Sequence, residues 1–259
     1  MSAMPGVVAI NTFREAVRDR VLYNLVFFAL VMIGAAILVG QISIGIDRLV
    51  IINLGLSAIS VFGLVMAVFI GVGLVYKEIE KRTLYSLLAK PIRRSQFLVG
   101  KYAGLLLTLT VNTALMTAGL GAALYYVGRP FVRSDASILL AVYFILLELA
   151  LITALALFFS CFSTPMLSTL FTLGIYVTGL FSADIREFGD LTHSPFLKAA
   201  TRAIYYLLPN FHNFNAIGVA SHGEAVPFSL VAQNTVYTFC YVSIVLLGAS
   251  AIFSRRNLK

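Results

Sequence analysis

The chain has 259 residues, 60% of them apolar and only 12% charged, with a formal charge of +8 at neutral pH. A soluble domain carries about 25% charged and about 45–50% apolar residues, and a mean hydropathy of +0.95 leaves more apolar surface than one globule of this size can enclose. With 2 Cys, 7 Pro and 19 Gly, disulfide scaffolds, collagen-like chains and disordered tails are excluded too; what remains is a multi-span membrane protein, whose positive charge must be read against a bilayer before any nucleic acid.

Residues 1–20 form the lead-in. Val8, Phe13 and Val17 alternate there with Arg14, Glu15, Arg18 and Asp19, the pattern of a short amphipathic helix at the cytoplasmic membrane interface. Its charges lie too far in for a cleavable signal. A crossing helix needs about 17–25 mainly apolar residues. The runs 21–41 and 54–76 supply two, 102–127 a third long enough to tilt, and 136–159 a fourth interrupted only by Glu148. The fifth, 165–183, is set apart from the fourth by Thr164-Pro165: proline lacks an N–H and disfavours helix in the residue before it, and nearby Ser or Thr can cap the new helix. The sixth is 233–253. Such solid apolar blocks are not the alternating strands of a barrel, so the chain reads as a single all-α transmembrane domain, 1–259, with six transmembrane helices over 21–253.

Basic residues orient it. Arg14, Arg18 and Arg20, then Lys77, Lys81, Arg82, Lys90, Arg93, Arg94 and Lys101, then Arg255, Arg256 and Lys259 fall on one side and make 13 of the 19. That side is cytoplasmic by the positive-inside rule, with both termini there. No nucleic-acid partner is expected.

The segment 77–101 is the most informative. Ile79, Thr83, Leu84, Leu87 and Leu88 recur at helical spacing beyond the second span, Lys90-Pro91 breaks the helix, and Ser95 can cap a restart into the third. A helix–turn–helix protrusion with an apolar edge and a basic corner results, a docking surface for a cytoplasmic partner or else plain positive-inside anchoring. The outer loop 184–232, with a helix over 199–208, holds His193, His212 and His222; their scatter is weak evidence for a metal, and none is expected. Within the membrane, Glu148 is the ionisable residue well inside a span, either a structural hydrogen bonder or part of a transport path. Asn112 and Thr113, with Thr108, Thr110 and Thr117, put a polar stripe on the third span. Gly63, Gly71 and Gly73 in the second span, and Gly100 with Gly104 entering the third, allow close helix approach. Cys161 and Cys240 read as free thiols. No phosphate-binding Gly-rich loop, His-Glu-x-x-His or nucleophilic triad occurs, so the chain is not an enzyme, and any energy must come from another subunit or an ion gradient.

Between Lys77 and Lys101, the order Glu80, Thr83-Leu84, Leu87-Leu88, Pro91 with Arg94, and Gly100-Lys101 resembles the segment after the second span in permease subunits of type-2 ABC exporters. The lead-in, the six-span plan and the basic tail are similar too. This resemblance implies a bacterial or archaeal plasma (inner) membrane protein that works as two permease copies, a homodimer or a pair of close paralogues. It implies two cytoplasmic ABC ATPases docked on the protrusions, with ATP and Mg bound in those partners and no cofactor in this chain. Glu78, Glu80, Arg82, Thr83, Leu84, Leu87, Leu88, Pro91 and Arg94 would form the coupling interface, and the helix around Phe13, Arg14 and Arg18 would brace it. Unlike many drug and polysaccharide exporters, the chain carries neither a fused ATPase nor a large outer domain. Its mid-sized outer loop leaves room for an extracytoplasmic partner and looks closer to small bacterial permeases, including those serving copper-enzyme maturation. The rival readings are an ion-coupled secondary transporter and a non-transporting membrane scaffold or assembly factor; an intramembrane enzyme would need convergent polar residues.

Overall fold

A computed structural model describes residues 4–42, 46–80, 94–127, 136–192, 194–223 and 226–255. Among them the chain is entirely helical, in ten α-helices: α1 Met4–Val17, α2 Arg20–Ile42, α3 Asp47–Glu80, α4 Arg94–Tyr126, α5 Ala136–Ser160, α6 Pro165–Leu180, α7 Ser182–Leu191, α8 Pro195–Leu207, α9 Ile217–His222 and α10 Phe228–Arg255. A 3-10 turn, Phe211–Phe214, precedes α9.

Five helices are long and apolar enough to cross a membrane alone: α2, α3, α4, α5 and α10. Two of them overrun the expected spans. The second begins at Asp47 rather than at residue 54, and its 34 residues rise about 51 Å. The third begins at Arg94, so Gly100 and Lys101 lie inside a continuous helix of 33 residues. Both helices are longer than a hydrocarbon core of about 30 Å, and each projects past it.

The fifth expected span departs most. It is not one helix over 165–183 but α6 followed, after Phe181, by α7, with a bend of 56°. Phe181 leaves helical geometry at φ −93, ψ 12. A side chain at Gly179 would strike the Pro209 carbonyl and Phe211, so the outer segment packs straight against the last turn of α6. Beyond the bend come Asp184, Arg186 and Glu187, which favour a turn out of the hydrocarbon. At the other end of α6, Pro165 holds the first turn as expected, but Thr164 makes no side-chain cap; its carbonyl accepts the Ser168 N–H at 2.8 Å instead.

Helix α5 is the hub. In its spanning window 72% of residues are buried, against 22% in α10, and its long apolar run packs on α3, α4, α6 and α10. Gly63 and Gly71 of α3 lie against Leu149 and Ala156 of α5, and Gly55 lies against Leu120 of α4. Gly73 differs: among the described residues nothing lies within 4 Å of where its side chain would be.

Both ends of the chain meet at one end of the bundle. Val8 of α1, Phe97 and Leu98 at the root of α4, Cys161 after α5, and Ala249 and Phe253 of α10 form one apolar cluster. Far from it, Ser137 in the first turn of α5 donates to the Ala220 carbonyl of α9 at 3.3 Å. Helix α6 runs from the first end to the second. Five long helices are candidate spans, and the bent α6–α7 pair, counted as one, brings the candidates to six. Cys161 and Cys240 form no disulfide.

Candidate functional site

At the end of the bundle that holds both termini, α1 lies along the root of α4. Its buried face is Val8, Thr12 and Ala16, three positions four apart. Phe13 is half-buried, while Arg14 and Arg18 are exposed. The apolar side therefore faces protein, not only a membrane surface. Gly100 and Gly104 of α4 make this possible: a side chain at Gly100 would come within 2.8 Å of the Pro5 carbonyl, and one at Gly104 within 2.5 Å of the Ala9 carbonyl. The GxxxG spacing thus joins α4 to the lead-in helix rather than joining two spans.

Lys101, between those glycines, is 1% exposed. Its ammonium lies 3.6 Å from the Glu15 carboxylate and 6.0 Å from the Phe97 ring. Phe97 stacks on Phe253 of α10 at 6.3 Å between ring centres. The root of α4 is thus held on one side by α1 and on another by the last turns of α10.

Of the expected coupling residues, Glu78 and Glu80 stand on the last turn of α3, and Arg94 opens α4. Arg82, Thr83, Leu84, Leu87, Leu88 and Pro91 lie outside the described residues.

The intramembrane candidates sit near the middle of their helices. From the Gly55–Leu120 contact, eight residues along α3 and eight back along the antiparallel α4 bring Gly63 level with Asn112, and Gly63 in turn touches Leu149, beside Glu148. Glu148 is 7% exposed, and Tyr176 of α6 lies beside its carboxyl. Tyr176 was not singled out in the sequence, although it is the one tyrosine of the fifth apolar run; only packing shows that it meets Glu148. Asn112 and Thr113 are buried, and the Asn112 Nδ2 and Thr113 Oγ1 have no hydrogen-bond partner among the described residues. The polar stripe is narrower than its sequence suggests. Thr110 is exposed and donates to the Leu106 carbonyl at 2.8 Å, and Thr108 and Thr117 likewise donate back into their own helix, to Gly104 and Thr113. These hydroxyls are satisfied locally, as serine and threonine in helices often are.

Residues 7–186 match the model of the ABC-2 family transporter protein family. The chain belongs to the ABC-2 transporter family. The match starts within α1, runs through all of α2 to α6 and ends in α7, so the lead-in helix and the segment between α3 and α4 are part of the family's pattern. No curated protein matches the chain. The protein is accordingly a multi-pass ABC permease, of a family that in general implies an ATPase partner.

Proposed function

We propose that this permease couples ATP hydrolysis by separate cytoplasmic ABC ATPases to export, or to force transmission, across a bacterial or archaeal inner membrane. The observation that carries the reading is the unbroken family match over 7–186, which takes in α1, the segment 77–101 and both helices flanking that segment. In this reading two permease copies form the membrane core, and one ATPase docks on each protrusion. Leu84, Leu87 and Leu88 fill an apolar cleft on the ATPase; Glu78, Glu80, Arg82 and Arg94 fix register through complementary charge; Thr83 and Pro91 shape the turn. Arg14 and Arg18, exposed on α1, lie on the same end and brace the docked subunit. ATP and Mg belong to the ATPase. An extracytoplasmic partner would meet α7 and α8.

The test is co-purification of the permease with its candidate ATPase in detergent, with ATP hydrolysis measured for wild type and for Leu88→Asp. The wild-type complex is expected to form and to change the rate of hydrolysis. Leu88→Asp is expected to lose docking, because it forces a carboxylate into an apolar cleft. Absence of a complex with any cassette ATPase would sink the coupling reading and turn attention to Glu148 and an ion-driven mechanism.

A further inference from the structure

We propose that Lys101 is a positioning residue that locks α1 to the root of α4, so that the first helix and the segment emerging from α4 move as one unit. The motion it transmits rests on the coupling reading above; the lock itself does not. Gly100-Lys101 closes the motif in 77–101, yet docking of an ATPase on the leucine-rich turn leaves this pair without a role.

Three observations converge on it. Lysine is almost never fully buried unless paired, and the Lys101 ammonium, in a 1% exposed side chain, stands 3.6 Å from Glu15 across the α1–α4 contact and 6.0 Å from the Phe97 ring. Gly100 and Gly104 let the backbone of α1 pass within reach of α4 on either side of Lys101, so the charge lies at the crossing point itself. Finally, α1 has only 14 residues, and an isolated helix of that length is marginal in water; its docking decides whether it is a helix at all. An apolar side chain would fill the same space without taking a charge out of water. A cation there meets the Glu15 carboxylate only at one rotation and one height of α1, which sets register in the way buried polar groups do between paired helices.

Hydrogen–deuterium exchange on the full-length permease in detergent tests the lock. Lys101→Met and Glu15→Gln are each expected to speed exchange over residues 4–17 by about tenfold, the response of a locally undocked helix, while α5 stays protected. The charge swap, Lys101→Glu with Glu15→Lys, is expected to restore protection, an outcome that loss of side-chain volume alone would not produce. Glu15 lies on the partly exposed side of the pair, so Glu15→Gln serves as the variant if Lys101→Met does not fold. Wild-type protection of α1 in both single variants, or a swap that exchanges as fast as either, overturns the proposal. In the complex with the ATPase, Lys101→Met is expected to keep co-purification and lose the permease-dependent change in hydrolysis. A wild-type response there overturns the transmission, whereas failure of any ATPase to bind the wild type counts against the coupling reading and leaves the exchange result standing.

Discussion

Glu148 and Tyr176 illustrate how a charge-bearing residue is tolerated in the most buried helix. A carboxyl among the side chains of α5 needs a polar neighbour, and Tyr176 comes beside it from α6, 28 positions along the chain. Tyr176→Phe removes that polar neighbour. A loss of about 1–2 kcal/mol is expected, seen as a lower thermal midpoint of the purified permease; an unchanged midpoint would mean that the hydroxyl contributes nothing. The glycines make a sharper contrast. Gly104→Ala places a methyl within 2.6 Å of the Thr12 Cβ and 2.5 Å of the Ala9 carbonyl, atoms that cannot swing away, so α1 must shift. Gly73→Ala meets nothing within 4 Å among the described residues. Deuterium uptake over residues 4–17 should rise in the first variant and stay at the wild-type level in the second. That Glu148 and Gly104 matter was legible in the sequence from their residue types; which neighbours they meet was not, because those neighbours come from other helices.

At the scale of elements, α7 and α8 pack on each other as a hairpin. Gly189 lies against Thr201 so closely that any side chain there collides, and Arg186 lies over the Tyr205 ring at 4.8 Å. Asp190 accepts from Arg202 at 2.9 Å and lies 3.5 Å from Lys198. The Arg202 hydrogen bond, with help from Lys198, holds the Asp190 carboxyl below the ordinary carboxylate range. A carboxyl with a depressed pKa contributes stability that is present above the usual aspartate value and is lost as pH falls through the folded value. These charges are on the surface, where ion pairs count for little. Asp190→Asn is therefore expected to leave the neutral-pH melting curve unchanged, whereas Gly189→Leu should open the hairpin and admit protease between the two helices. The opposite ranking would mean that charge, not close packing, holds α7 to α8. The existence of a helix near 199–208 was legible; its start at Pro195, its partner α7 and the bend after Phe181 were not, since the bend answers to Pro209 and Phe211 from farther along the chain.

For the whole molecule, the cluster of Val8, Phe97, Cys161 and Phe253 places both chain ends together, in agreement with the distribution of Lys and Arg. Epitope tags added at each terminus are expected to resist protease applied to intact cells and to be cleaved after the membrane is opened, while an engineered protease site within α8 should be cut from outside. Opposite accessibility of the two tags would contradict the six-span plan. The family match ends within α7, so the hairpin and α10 form the part of this permease least constrained by family membership, and substrate or partner choice is best sought there by exchanging 184–232 between related permeases.

By itself the sequence determined that the chain crosses a membrane as helices, roughly where those crossings fall and on which side its positive charge collects. Each of these follows from composition within a window of about 20 residues. The motif in 77–101 also identified the permease class, because it is contiguous. Only the tertiary structure decided that α1 is clamped to α4 rather than lying free, that Lys101 faces Glu15, that Glu148 faces Tyr176, that Gly63 meets Leu149, and that the fifth apolar run bends before it leaves the bundle. These depend on the rotation and depth of one helix against another, quantities carried by pairs of residues tens of positions apart and by no single stretch of chain.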